Sequence, residues 1–191
     1  MSAKQKNIKD KVTSNNVQEA KSRRRNKSHG NSLPKWSPYA IIFVTAIIYL
    51  KALQNGFTNI DDDYYIVNNP YLRDFSLNGI VAIFTHFYSF NYHPFTSLTN
   101  LIEYKLFGLN PLPYHFVNVC LHLLNIWLVY VLAQLLSSKR STALIVCILF
   151  AIHPLHVESV AWVAERKDVL YTFFYFSSLI TYLLVQLLIL M

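Results

Sequence analysis

The feature that most constrains this chain is the run PYHFVNVCLHLLNIWLVYVLAQLL at 113–136, which holds no Asp, Glu, Lys or Arg. Crossing about 30 Å of hydrocarbon takes about 20 helical residues. A run this long and this apolar is a membrane span. Three more apolar stretches accompany it, and together they predict an all-α membrane protein with about four spans, at 37–53, 113–136, 142–164 and 169–191. Trp36 and Tyr39 stand where interfacial anchors belong. Composition agrees, with 53% hydrophobic residues and 15% aromatic ones.

Charge divides the chain in two. Residues 1–36 hold ten Lys/Arg and two acids, a net +8, and residues 37–191 hold seven against eight, a net −1; these sum to the overall +7. The basic tail has almost no large apolar residues and reads as disordered. Its SRRRNK run beside a span reads as a topology signal rather than a nucleic-acid site. The positive clusters, in the tail and at Lys139 and Arg140, are separated by an even number of spans. Both are therefore expected in the cytoplasm, with the 54–112 loop on the opposite side. Cys120 and Cys147 sit inside apolar runs and imply no disulfide framework.

The loop at 54–112 is aromatic-rich, and its composition predicts short interfacial helices. It opens on NIDDDYYIVNNP, with Asp61, Asp62 and Asp63 adjacent. The bland reading is a solvated acidic turn. The functional one is a carboxylate that takes a proton from an acceptor hydroxyl, and a divalent metal at the three acids is the less favoured variant.

Two further stretches carry polar groups at membrane depth. His115, Asn118, His122 and Asn125 fall at i, i+3, i+7 and i+10, within roughly 80° of one helix face. This is either a hydrogen-bonded packing stripe or the lining of a cavity. In HPLHVESVAWVAERKDVL (153–170), the third expected span carries His153, His156 and Glu158 into the membrane, where such groups must face protein or water. With His115, His122 and Glu165 they are expected to line a polar cavity open to the outer face. Pro154 and the order of the ligands make a zinc site a poor match. Arg166 and Lys167 stand on the side that positive charge avoids and suit a lipid phosphate; pairing with Glu165 or Asp168 is the alternative.

Taken together, DDDYYIVNNPYLR, YHPFTSLTNLIEYKLFGLNPLPYHFVNVCLH and LFAIHPLHVESVAWVAERKDVL resemble the membrane region of the transmembrane and tetratricopeptide-repeat O-mannosyltransferases and their bacterial relatives, over about residues 40–185. The resemblance implies the N-terminal part of a GT-C glycosyltransferase fold. It also implies a polyprenyl-phosphate-linked sugar as donor, mannose in the eukaryotic members, and a protein hydroxyl as acceptor, with no cofactor. It places the paired acids of the first outer loop, counted from I-V-N-N-P, on Asp61 and Asp62. It assigns the donor phosphate to Arg166, with Lys167 beside it. The active loop would face periplasm or lumen. His93 departs from the Arg found in many relatives. The family is longer, with more spans and a repeat array, so the chain is expected to be an incomplete module; the competing expectation is a non-catalytic remnant or assembly subunit.

Overall fold

The computed structural model describes residues 33–89, 91–137 and 139–190. Most of the basic tail, including SRRRNK, lies outside the described residues. Among the described residues seven α-helices follow in order: α1 Ser37–Tyr49, α2 Leu77–Thr85, α3 Pro94–Phe107, α4 Pro111–Ser137, α5 Arg140–Ile152, α6 His156–Ala161 and α7 Arg166–Ile189. Among the described residues the only β pairing is an isolated bridge between Tyr88 and Asn91.

Helix α1 continues as a 3₁₀ turn, Leu50–Gln54, so that Ser37–Gln54 forms one 18-residue apolar helix. With α4 and α7, this makes three helices among the described residues that are long and apolar enough to cross a membrane. The expected third span, 142–164, is not a continuous helix. Helix α5 stops at Ile152 after 13 residues, about 20 Å at the usual rise. Pro154 causes the break: it disfavours helical geometry at the residue before it, and His153 is extended at ψ 127°. The chain then makes the single short helix α6, extends again at Trp162 and enters α7.

Helix α4 is the axis. Helix α5 returns antiparallel along it, through a stripe of small residues, Ala143, Cys147 and Ala151, each fully buried. Spacing of four residues keeps the three on one face, and small side chains let the helix axes approach. The Cys147 thiol donates to the Ile126 carbonyl at 3.7 Å, and neither cysteine is in a disulfide. Tyr49 and Ala52 of the first span pack with Val119, Val160 and Val169.

The 54–112 segment has its own core: Ile66, Leu72, Ile83 and Leu101, closed by Tyr114 and Val163. Sequence chemistry locks its start. The Asn69 side chain caps the 3₁₀ turn Pro70–Arg73 by accepting from Tyr71 N at 3.0 Å, and its amide donates back to Tyr65 O at 3.1 Å. The Ser76 hydroxyl caps α2 by accepting from Gly79 N.

Candidate functional site

The polar stripe of α4 explains how the broken segment survives at membrane depth. Asn118 donates to Trp162 O at 3.0 Å, Asn125 donates to Val169 O at 2.8 Å, and His122 Nε2 lies 3.3 Å from Ala151 O. Ala151 lies in the last turn of α5, where its carbonyl has no intrahelical donor, whereas Trp162 O also accepts from Glu165 N and Val169 lies in the first turn of α7. The packing-stripe reading therefore accounts for Asn118, His122 and Asn125. His115 is buried too, against the backbone of Gly56 and Ala161.

Of the residues expected to line one cavity, His122 and His156 do share a small one, with Asn125, Ser159, Asp168 and Thr172. The Ser159 hydroxyl donates to Asp168 at 2.9 Å there. His153 and Glu158 are exposed, and Glu165 is half-buried in an ion pair with Lys167 at 2.8 Å. The six residues are not one lining.

The three aspartates are not equivalent. Asp62 is fully buried and spends both oxygens on protein donors: Oδ2 accepts from Thr58 N at 2.8 Å and Thr58 Oγ1 at 3.1 Å, and Oδ1 accepts from Ala164 N at 2.8 Å. That last bond spans 102 residues and clasps the acidic turn to the segment leading into α7. Asp61 and Asp63 are half-buried, and neither carboxylate has a hydrogen-bond donor among the described residues. No three His, Cys, Asp or Glu side chains among the described residues converge as a metal site.

Arg166 is fully buried, and all three of its nitrogens are engaged. Nε donates to Asn118 Oδ1 at 2.8 Å, Nη2 to Tyr114 O at 2.8 Å, and Nη1 to Asn100 Oδ1 at 2.8 Å, Thr99 Oγ1 at 3.3 Å and the Glu103 carboxylate. Full burial leaves Arg166 no solvent-facing donor, and one Nη2 N–H has no acceptor among the described residues. The guanidinium instead ties α3, α4 and α7 together. Burial pushes the Glu103 carboxyl above its usual range, although Arg166 beside it pulls in the other direction.

Lys167, the next residue, is 26% exposed. It lines a small polar cavity with Tyr65, Asn91, His93, Thr96, Ser97, Asn100 and Ala164. Ala164 is the residue that holds Asp62, so this cavity and the acidic turn meet. His93 Nδ1 lies 2.8 Å from the Tyr171 hydroxyl. Desolvation and the charge of Lys167 lower the His93 pKa, against smaller opposing pulls from Glu165 and Asp168. Sequence reasoning missed Glu103, Asn100 and Thr96. Their only signal was polarity within an otherwise apolar, aromatic helix.

These features define a helical protein with three candidate membrane spans among the described residues, whose 54–112 segment brings a carboxylate turn against a cation-bearing cavity. Human protein O-mannosyl-transferase TMTC1 is 32% identical over 151 residues, covering 72% of this chain and 17% of that protein. The chain belongs to the TMTC family. Drosophila melanogaster Tmtc1 is 33% identical over 132 residues, 64% of this chain and 15% of the relative. Mouse TMTC4 is 29% identical over 174 residues, 78% and 23% respectively. The chain thus spans less than a quarter of the length of these relatives. No family model and no solved structure matches it.

Proposed function

We propose that this chain forms the donor- and acceptor-facing part of a GT-C membrane glycosyltransferase that moves a sugar, mannose by analogy with its relatives' names, from a polyprenyl-phosphate carrier to a protein hydroxyl. The observation that carries the reading is the clasp from Asp62 to Ala164, which brings the acidic turn against the Lys167 cavity. A base and a phosphate-binding cation are the two groups that such a transfer needs side by side.

Asp61 is the base. It is half-buried, and no donor among the described residues occupies its carboxylate. It takes the proton of the acceptor hydroxyl as the oxygen attacks the sugar's C1. The bond from C1 to the phosphate oxygen breaks, the lipid phosphate leaves with the electron pair, and the anomeric centre inverts. Asp62 positions the turn through Thr58 and Ala164. Arg166 holds the elements that present Lys167 to the leaving phosphate. Helix α5 and the 153–165 segment together make the third crossing of the GT-C region, and the outer loop faces periplasm or lumen.

The test is transfer from mannosyl-phosphoryl-polyprenol to a Ser/Thr peptide, using this chain and a chimaera in which it replaces the matched stretch of a TMTC relative. The reading predicts a glycopeptide of inverted anomeric configuration. A product of retained configuration contradicts the single displacement. Transfer from a nucleotide sugar alone contradicts the donor class.

A further inference from the structure

We infer that the cavity at the start of α3 is a phosphate-binding pocket built by Lys167, Thr96, Ser97, His93 and the first turn of that helix. The inference rests on the lipid-phosphate reading above and deepens it by locating the phosphate away from Arg166.

Four observations converge. The cavity sits at the N-terminus of a 14-residue helix, where Pro94 has no N–H, Ser97 N already donates to His93 O, and the Phe95 and Thr96 N–H groups lack intrahelical acceptors; the dipole there favours an anion. The Thr96 hydroxyl lines it with no hydrogen-bond partner, although the residue is only 7% exposed. An orphaned hydroxyl at such burial costs stability unless something fills the site. The lining includes one cation, Lys167, and no carboxylate. Glu165 uses one of the three ammonium protons from outside the lining and leaves two.

The remaining groups suit a phosphate oxygen. Ser97 and Asn100 add short polar side chains at the wall. Asn100 accepts from Arg166 through its oxygen, which fixes its amide nitrogen as the end left to donate elsewhere. The network around Arg166 therefore acts on the phosphate at one remove, by orienting Asn100 and by anchoring the turn that carries Lys167. Asp62 lies behind the Ala164 amide, where its charge is already met by three donors.

The experiment measures binding of farnesyl phosphate, farnesol and inorganic phosphate to the full chain in nanodiscs by calorimetry. Farnesyl phosphate is expected to bind at least about tenfold tighter than farnesol, the difference that charge-assisted hydrogen bonds to a phosphate supply. Lys167→Met should abolish that difference, and Thr96→Val, which keeps the shape and removes the hydroxyl, should reduce it about fivefold or more. Lys105→Met, a lysine on the far end of the same helix, should leave it unchanged. Competition by inorganic phosphate at equal strength would assign the pocket to free phosphate; weak competition assigns it to the lipid form. Equal binding of farnesyl phosphate and farnesol overturns the inference. So does a difference that survives both Lys167→Met and Thr96→Val, or Thr96→Val raising thermal stability with phosphate affinity intact. Because no turnover is read, loss of the transfer activity in an Asp61 variant leaves this result standing, and the converse holds as well.

Discussion

The guanidinium of Arg166 and the carboxylate of Glu103 decide much of this molecule at the scale of single residues. Both are buried, and the neutral acceptors Asn100, Asn118, Thr99 and Tyr114 O complete the arginine's shell. Removing one partner strands the other charge, at about 3–5 kcal/mol. Arg166→Ala and Glu103→Ala should therefore each destabilise by about that amount, read by reversible unfolding in mixed micelles, and the double variant should cost less than the sum. Additive costs would remove the pair from the account. His93 gives a second test. Its pKa is depressed, so the unfolded state binds more protons at mildly acidic pH. Its contribution is present above the ordinary histidine range and is lost as pH falls through it. Stability should drop on acidification below about pH 6.5, with a smaller drop in His93→Gln; identical profiles would show that other groups set it.

At the scale of elements, what was readable from sequence follows from periodicity. The α4 run predicted 113–136 and the helix covers Pro111–Ser137; the last run predicted 169–191 and α7 covers Arg166–Ile189. Continuous apolarity fixes such helices because no competing structure satisfies the backbone in lipid. The 142–164 run failed as one helix because Pro154 broke it, and His122 of α4 meets the Ala151 carbonyl at the broken end. Spacing put His115, Asn118, His122 and Asn125 on one face; it could not say what faced them, since Trp162, Ala151 and Val169 arrive from a return stroke 29–44 residues later. The Asp61–Asp62 pair was visible as a motif. Which acid is buried was not, because that depends on the contact with Ala164. The tight seam between α4 and α5 makes a direct prediction. Ala151→Leu should overpack it at about 1–3 kcal/mol, whereas Ile148→Leu, at an exposed position of the same helix, should be near neutral. Equal effects would mean the seam is loose.

For the whole molecule, the account joins an outer polar layer to an apolar helical bundle. The proposed orientation puts Lys139 and Arg140 at the inner end of α4 and α5 and the acidic turn on the opposite side. Cysteines placed at Ser76 and at Ser137 should therefore label from opposite sides with an impermeant maleimide; labelling from one side would refute the orientation. The central claim is that Asp61 is the base beside a phosphate pocket. The direct measurement is single-turnover sugar transfer by Asp61→Asn in the chimaera, beside Asp62→Asn and Asp63→Asn, with farnesyl phosphate affinity measured on the same proteins. Asn keeps the shape and removes the basicity. The account predicts a loss of about 10²–10⁴-fold in rate for Asp61→Asn, the usual contribution of a positioned base, with phosphate affinity unchanged. Asp62→Asn should also lose rate, together with thermal stability, and Asp63→Asn should matter least. Transfer at the wild-type rate in Asp61→Asn, with the deficit appearing in Asp63→Asn or in neither, would contradict it.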